Sequence, residues 1–452
     1  MQFKNTLLAI SALVTAAIWA PQAQAIPAFA RQVGMACSAC HYQHFPLLNS
    51  FGRAFKGGGF TLTGAQEKIE GDGLSLPVVL NGALVGYMEY QKTNGNSAVN
   101  PTTGLPASPT TKSSNNGYLE IPQQVSLFLA GRGGEHIGFE GEISIAGAGV
   151  ETNNATGVVG LIRIKVPIIY AVGNVNAGIV PFSTQGLGVA DSFEVMNTGA
   201  VAVHAFNQTD LKAISAQQYI GTSTPANGVA FIASNEDFFA NFAKWGANLG
   251  AGPSGSPTSN YLRAAWTTGL IPGFDSAIGT QIWSGSSATD NNPATTPPPY
   301  FGEVVDTKAN AIDAQMMGDV GGMPLLVVAS YAKAPAGGLV AGGANLNFFN
   351  GNAGDRKSFN IGAELGVLPG KATLQIALRR AKSGAYIDPV ALSGNASDNA
   401  FLLGATYNLA LNARMELTYS KYSGDLYNAA NVAAGNVPFG DKVTTIDMAF
   451  AF

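Results

Sequence analysis

Three observations predict an all-β fold, a transmembrane antiparallel outer-membrane β-barrel of about 16 strands preceded by a small, mainly helical N-terminal segment. Composition comes first: 46% of the 452 residues are apolar and only 12% charged, about half the usual charged share. Yet past the N-terminus no apolar run is long enough for a membrane-spanning helix. The second observation is period-two alternation of apolar and polar residues, and the third is a succession of tight turns and long polar connections.

The chain opens with an export-type signal. Lys4 supplies positive charge, Leu7 to Ala20 is an apolar stretch, and Ala23-Gln24-Ala25 offers small residues for cleavage. Residues 1–25 are therefore expected to be removed; a retained anchor is the competing reading. Residues 26–76 then form a segment too short for an independent domain with a good core, suited to a plug or a cap. It contains the only two cysteines, in Cys37-Ser38-Ala39-Cys40-His41. Cys-x-x-Cys-His is the attachment signature of c-type haem: the thiols form thioethers and the following histidine reaches the iron. A redox dithiol would need a βαβ context, a zinc site four ligands where only His41 and His44 stand nearby, and a simple disulfide leaves the histidine unexplained.

Residues 77–452 carry the strands. Ile137, Phe139, Ile143 and Ile145 share one face, and His136, Glu140, Glu142 and Ser144 the other. Phe359, Ile361, Leu365 and Val367 alternate with Asn360, Glu364 and Gly366; after a turn at Pro369-Gly370, Leu374, Ile376 and Leu378 alternate with Thr373, Gln375 and Arg379. Phe401, Leu403, Tyr407 and Leu409 alternate with Gly404, Thr406 and Asn408. A soluble sandwich shows the same period, so the connections decide. Turns near Gly318–Gly322, Pro369-Gly370 and Asn412 are tight; 334–356, 382–399 and 423–440 are long, as are 94–116, 250–259 and 284–299. Short connections on one side and long ones on the other mark outer-membrane barrels. The chain ends on Ile446, Met448, Phe450 and Phe452 in alternation, an aromatic terminus typical of such proteins. About 375 residues at ~10 per strand allow about 14 to 18 strands, and a barrel of 16 would leave a water-filled lumen wide enough to hold other material.

Around the haem motif, Pro27-Ala28-Phe29-Ala30-Arg31-Gln32, Phe45-Pro46-Leu47-Leu48-Asn49-Ser50-Phe51-Gly52-Arg53-Ala54-Phe55-Lys56, Gly64-Ala65-Gln66 and Glu70-Gly71-Asp72-Gly73 closely resemble the fused monohaem cytochrome–porins of the bacterial outer membrane. The best-known members are iron oxidases of iron-oxidising bacteria. The resemblance covers about residues 26–90. It implies one covalently bound haem c, oxidation of extracellular Fe(II), and delivery of electrons to a periplasmic c-type cytochrome or copper protein.

Candidate residues follow. Cys37 and Cys40 would hold the haem, with His41 as proximal iron ligand. Arg53 and Lys56, three apart on one helical face, are candidates for the haem propionates. The sixth ligand is not evident. His44 and Met35 lie too close to His41 in sequence to reach the opposite face of the iron, and Met88 alternates toward lipid. His136 is the candidate that alternation points inward, and His204 lies in a less clear strand. Glu89, Glu140 and Glu142 would point inward and attract Fe²⁺ through oxygen. A formal net charge of −4 argues against nucleic acid as a partner, and no acid–base constellation stands out. Two other functions share the architecture: a passive diffusion porin whose haem segment plugs the pore, and electron export to an extracellular acceptor.

Overall fold

The computed structural model describes residues 27–64, 66–78, 81–95, 117–147, 160–184, 186–199, 215–247, 256–269, 271–288, 304–337, 347–385, 394–428 and 440–452. The signal segment, His204 and most of the long connections at 94–116, 250–259 and 284–299 lie outside these residues. None of the described helices is long and apolar enough to cross a membrane.

Two short helices, α1 (Pro27–Val33) and α2 (Ser50–Gly57), flank the cysteine motif. A small hairpin follows, β1 (Lys68–Gly71) with β2 (Leu74–Pro77). The barrel strands then run β3 (Gly82–Thr93), β4 (Tyr118–Arg132), β5 (Gly138–Gly147), β6 (Gly160–Lys165), β7 (Ile168–Val172), β8 (Val175–Thr184), β9 (Ala226–Ser234), β10 (Phe238–Ala247), β11 (Ser259–Thr268) and β12 (Phe274–Ser284). After a second small hairpin, β13 (Ser286–Ala288) with β14 (Val304–Asp306), come β15 (Ala309–Val320), β16 (Met323–Ala334), β17 (Arg356–Leu368), β18 (Ala372–Lys382), β19 (Asn399–Ala410), β20 (Ala413–Ser423) and β21 (Lys442–Ala451). A short helix α3 (Ala216–Tyr219) lies between β8 and β9.

Each barrel strand pairs antiparallel with its neighbours, and β21 pairs with β3 to close the ring. β6 and β7 are one stave interrupted at Pro167: both pair with β8, and proline has no N–H to offer the ladder. Counted so, the barrel has the 16 staves that the sequence predicts. Closure is what makes it viable in lipid, because every strand edge finds a partner.

Alternation is realised strand by strand. On β18, Leu374, Ile376 and Leu378 are exposed at 53, 46 and 42%, while Thr373, Gln375 and Arg379 are buried. Leu119, Ile121, Trp266 and Ile312 belong to the same outward apolar surface. The tight turns gather at one end. Gly321 and Gly322 (φ +64° and +82°) form the two-residue loop between β15 and β16, a conformation that side-chain-bearing residues resist.

Among the described residues, the lumen is occupied by other parts of the chain. Inward-facing Asn241, Arg263, Gln281, Asn360 and Glu364 are all fully buried. Two pieces of the chain's own backbone do this. At the tight-turn end, residues 27–64 enter the mouth: Phe55 and Phe60 join one apolar cluster with Ile169, Phe193 and Phe239, and Leu47 joins another with Met317, Leu326 and Leu402. From the long-loop end, the connection between β8 and β9 folds inward, burying Val189, Phe193, Met196, Tyr219 and Ile220. Asn197 joins the two pieces, accepting from Leu48 N (2.8 Å) and donating to Leu48 O (2.9 Å).

Candidate functional site

The cysteine motif sits on a single 3₁₀ turn, with Cys40 N and His41 N both donating to Cys37 O at 3.1 and 2.9 Å. Residues 41–48 then double back, bridging His41 to Leu48. Asn49 fastens the following helix to the motif. Its backbone N–H donates to Cys40 O (3.0 Å), its side-chain amide donates to Ala39 O (3.0 Å), and its side-chain oxygen caps α2 by accepting from Gly52 N (2.9 Å). Gly52 is required by this packing: a Cβ there would stand 2.2 Å from Cys40 O.

The half-buried His41 ring lies edge-on to Phe45 (5.6 Å, 73°). Its Nδ1 lies 3.1 Å from Leu47 O; a carbonyl only accepts, so Nδ1 carries the proton and Nε2 keeps its lone pair. Metal-bound histidines are oriented by such a bond. Burial lowers the His41 pKa to about 4, so the neutral, ligating form prevails at neutral pH. Cys37 and Cys40 are not joined by a disulfide. The Cys40 thiol pKa is raised by burial and then by Cys37.

Beside the motif is a cavity that opens to solvent, its empty space of about 730 Å³ counting the open part. Cys37 and His41 line it from the plug, and Val85, Tyr87, Phe450 and Ala451 from the barrel wall. Its mainly apolar walls suit a flat organic cofactor. Cys40 does not line it. A second thiol one turn away, a histidine presenting Nε2 and an apolar cavity beside them together fit a covalent haem. Among the described residues, no three His, Cys, Asp or Glu side chains stand close enough to hold a bare metal ion.

The structure brings only part of the expected set together. Arg53 ion-pairs with Asp275 at 2.5 Å, and Lys56 lies over the Phe193 ring (5.9 Å); neither lines the cavity. Both do lie on one face of α2, but that face looks toward β12 and the inserted connection. The cation that reaches the cavity is Arg414, which sequence reasoning missed; its only signal was an inward position on β20. Arg414 donates to His44 Nδ1 (2.8 Å) and to Phe45 O. His44 Nε2 donates to Glu364 Oε1 at 2.6 Å. With both nitrogens engaged, His44 has no lone pair for iron.

His136 is not in the lumen. It falls in the turn between β4 and β5, exposed and stacked on the outward Tyr170 (4.1 Å). The Gly133-Gly134 turn breaks the alternation before β5 begins at Gly138. Glu140 and Glu142 do point inward, but they are held by ion pairs rather than open to an entering ion. Glu142 pairs with Arg163 (2.7 Å), and Glu140 lies 3.8 and 3.9 Å from Arg163 and Lys165. Asp191 of the inserted connection completes the group, 2.9 Å from Lys165.

The closed barrel, apolar outside and with tight turns gathered at one end, is a membrane-spanning barrel of the bacterial outer membrane. No family model and no curated protein matches the chain. Among solved structures it is similar in fold to OmpF of Salmonella typhi (12% identity, TM-score 0.48, 85% of this chain and 100% of that one). It is also similar to the outer-membrane channel DcaP of Acinetobacter baumannii (12%, TM-score 0.47, 82% and 97%) and to OmpT, an outer-membrane protein of Vibrio cholerae (8%, TM-score 0.44, 85% and 100%).

Proposed function

We propose that this chain is an outer-membrane electron-transfer protein that carries one haem c in the tight-turn mouth of its barrel and oxidises Fe(II). Cys37 and Cys40 would form the two thioethers, and His41 would present Nε2 as proximal ligand. Bound there, a haem supplies one-electron exchange between its ferrous and ferric states. The observation that carries this reading is the His41 ring: its Nδ1–H is fixed by Leu47 O, and the ring lines the cavity beside the Cys37 thiol.

Each remaining residue has a definable part. Val85, Tyr87 and Phe450 exclude water from one side of the cavity, and Arg414 offers positive charge at its polar edge. His44, Glu364 and Arg414 fasten the plug to β17 and β20. The cavity lies at the end of the tight turns, which face the periplasm in outer-membrane barrels. A periplasmic c-type cytochrome or copper protein docking on that mouth would be the electron acceptor.

The filled lumen counts against a diffusion porin, which needs an open bore. Electron export would use the same parts in reverse, and the midpoint potential decides direction. The test is purified protein examined by mass spectrometry and by the Soret and α bands on adding anaerobic Fe²⁺. Expected are one covalent porphyrin per chain and reduction within seconds. A chain without porphyrin refutes the reading; a haem left ferric by Fe²⁺ refutes the iron-oxidising part of it.

A further inference from the structure

The closed register places four carboxylates side by side on the lumen wall. Glu416 of β20 stands opposite Asp447 of β21, Asp447 opposite Glu89 of β3, and Glu89 opposite Glu120 of β4. Directly opposed side chains have Cβ atoms about 5 Å apart, and like charges in that relation repel. Two of them are out of water, Glu416 at 1% exposed and Glu89 at 3%, and Asp447 and Glu120 are part-buried. Their oxygens are poorly matched. Glu89 Oε2, Glu416 Oε1 and Asp447 Oδ2 are buried without a hydrogen-bond partner. Glu416 pairs with Arg414 at 3.3 Å, whereas Glu89 and Asp447 form none of the ion pairs found among the described residues.

The row has a defined position. Two residues down each strand, the same register brings Arg414, Ala449 and Tyr87 together, and all three line the cavity beside His41. Two strand residues span about 7 Å, so the carboxylates form the next inward rung behind that cavity wall. One rung further on stand Thr418, Thr445, Gln91 and Tyr118, again oxygen-bearing and in register.

We infer that this rung is a binding site for a divalent cation, centred on Asp447 and Glu89. Unpaired buried carboxylates are costly without a counter-charge, and a hard or borderline cation with oxygen ligands supplies one. The side chains do not converge into a closed cage as they stand. An ion would draw the neighbouring Asp447 and Glu89 carboxylates onto itself and keep water on its other positions, as weakly held divalent ions do. This inference deepens the proposed function, because Fe(II) belongs to that ion class and the rung lies against the wall of the proposed haem cavity.

The probe is Mn²⁺, followed by loss of its free EPR signal on titration into the full haem-loaded protein in detergent. One ion per chain is expected, with binding weakened at least tenfold in the Glu89→Gln/Asp447→Asn double variant. It should be unchanged in Glu70→Gln, a control on the exposed β1–β2 hairpin. Folding of the double variant is checked by the heat-dependent gel shift of the barrel. If it does not fold, competition of Fe²⁺ with bound Mn²⁺ in the wild type and the single Asp447→Asn variant take its place. No Mn²⁺ uptake by the wild type, or equal uptake by the variants, overturns the site. Fe²⁺ reduction of the haem with no Mn²⁺ binding would sink the cation site alone; Mn²⁺ binding at the rung with no reduction by Fe²⁺ would sink iron oxidation alone.

Discussion

Replacing Lys56 by Met separates two readings of that residue, a propionate contact and a buried cation under electrostatic strain. The Lys56 pKa is lowered to about 8, first by burial and then by the neighbouring Lys165. The neutral amine is thus favoured in the fold, while the unfolded chain keeps its proton up to about 10.5. Between these two values the unfolded state binds more protons, so stability rises with pH through that window. Below pH 8 the full penalty is present. A shift from 10.5 to about 8 corresponds to about 3 kcal/mol at 1.36 kcal/mol per unit. Partial exposure of the side chain reduces this, and the variant also forfeits the contact with Phe193, worth about 0.5–1 kcal/mol. Lys56→Met should therefore stabilise the plug by about 1–2 kcal/mol at pH 7. The assay is urea-driven protease accessibility of residues 27–64 in detergent micelles. Wild-type midpoints should climb from pH 8 to 10, and the variant's should stay flat. A variant less stable at pH 7, or one with shifted haem bands, would refute the reasoning and restore Lys56 to the haem site.

Gly52→Ala places a methyl group against the Cys40 carbonyl, a backbone atom that no rotamer change can move; overpacking of about 1–3 kcal/mol or more should lower the urea midpoint for protease accessibility of residues 27–64, and an unchanged midpoint would contradict the packing. Glu364→Gln keeps the shape but removes the buried carboxylate to which His44 Nε2 donates. A hydrogen bond to a charged group contributes about 1.5–3 kcal/mol, so the plug should open to protease at lower urea while the barrel still shows its heat-dependent gel shift. In planar bilayers the wild type should conduct far less than an open 16-stranded porin, and porin-like conductance would contradict the filled lumen.

The barrel was legible because its signal is local. A strand buried on one face and bathed in lipid on the other writes its period into consecutive residues, as Thr373 to Arg379 do. The cysteine motif was equally local. What failed depended on parity or rotation set elsewhere. Extending the β5 alternation back to His136 goes two residues too far, into the turn that begins at Gly133-Gly134. Arg53 and Lys56 share a helical face as expected, but the rotation of α2 about its axis is fixed by Asn49, Gly52 and the Asp275 ion pair. Glu140 and Glu142 do face inward, yet their partners Arg163 and Lys165 become visible only once β5 and β6 are in register. The inserted connection carries no low-complexity signature; its one hint is Asp191 and Glu194 set among Val189, Phe193, Val195 and Met196.

A ring of 16 staves encloses more space than its own side chains can fill, so such a barrel is either wet or stoppered. Here both ends contribute a stopper, and the two meet at Asn197 and Leu48. Charged residues on the wall are then no longer solvated by a channel and need partners, and most have them: Arg263 holds Glu194 and Asp313, and Arg379 holds Asp398. Against that background Glu89 and Asp447 are the exception, opposite each other in register and each with an orphan oxygen. Burial without pairing persists only where something else compensates it. Because the row lies one rung from the cavity beside His41, the compensating charge and whatever occupies that cavity would be close enough to influence each other. A bound divalent ion should therefore raise the midpoint potential of a haem held by Cys37 and Cys40. Spectroelectrochemical titration with and without Mn²⁺ measures that directly, and identical potentials would disconnect the two sites.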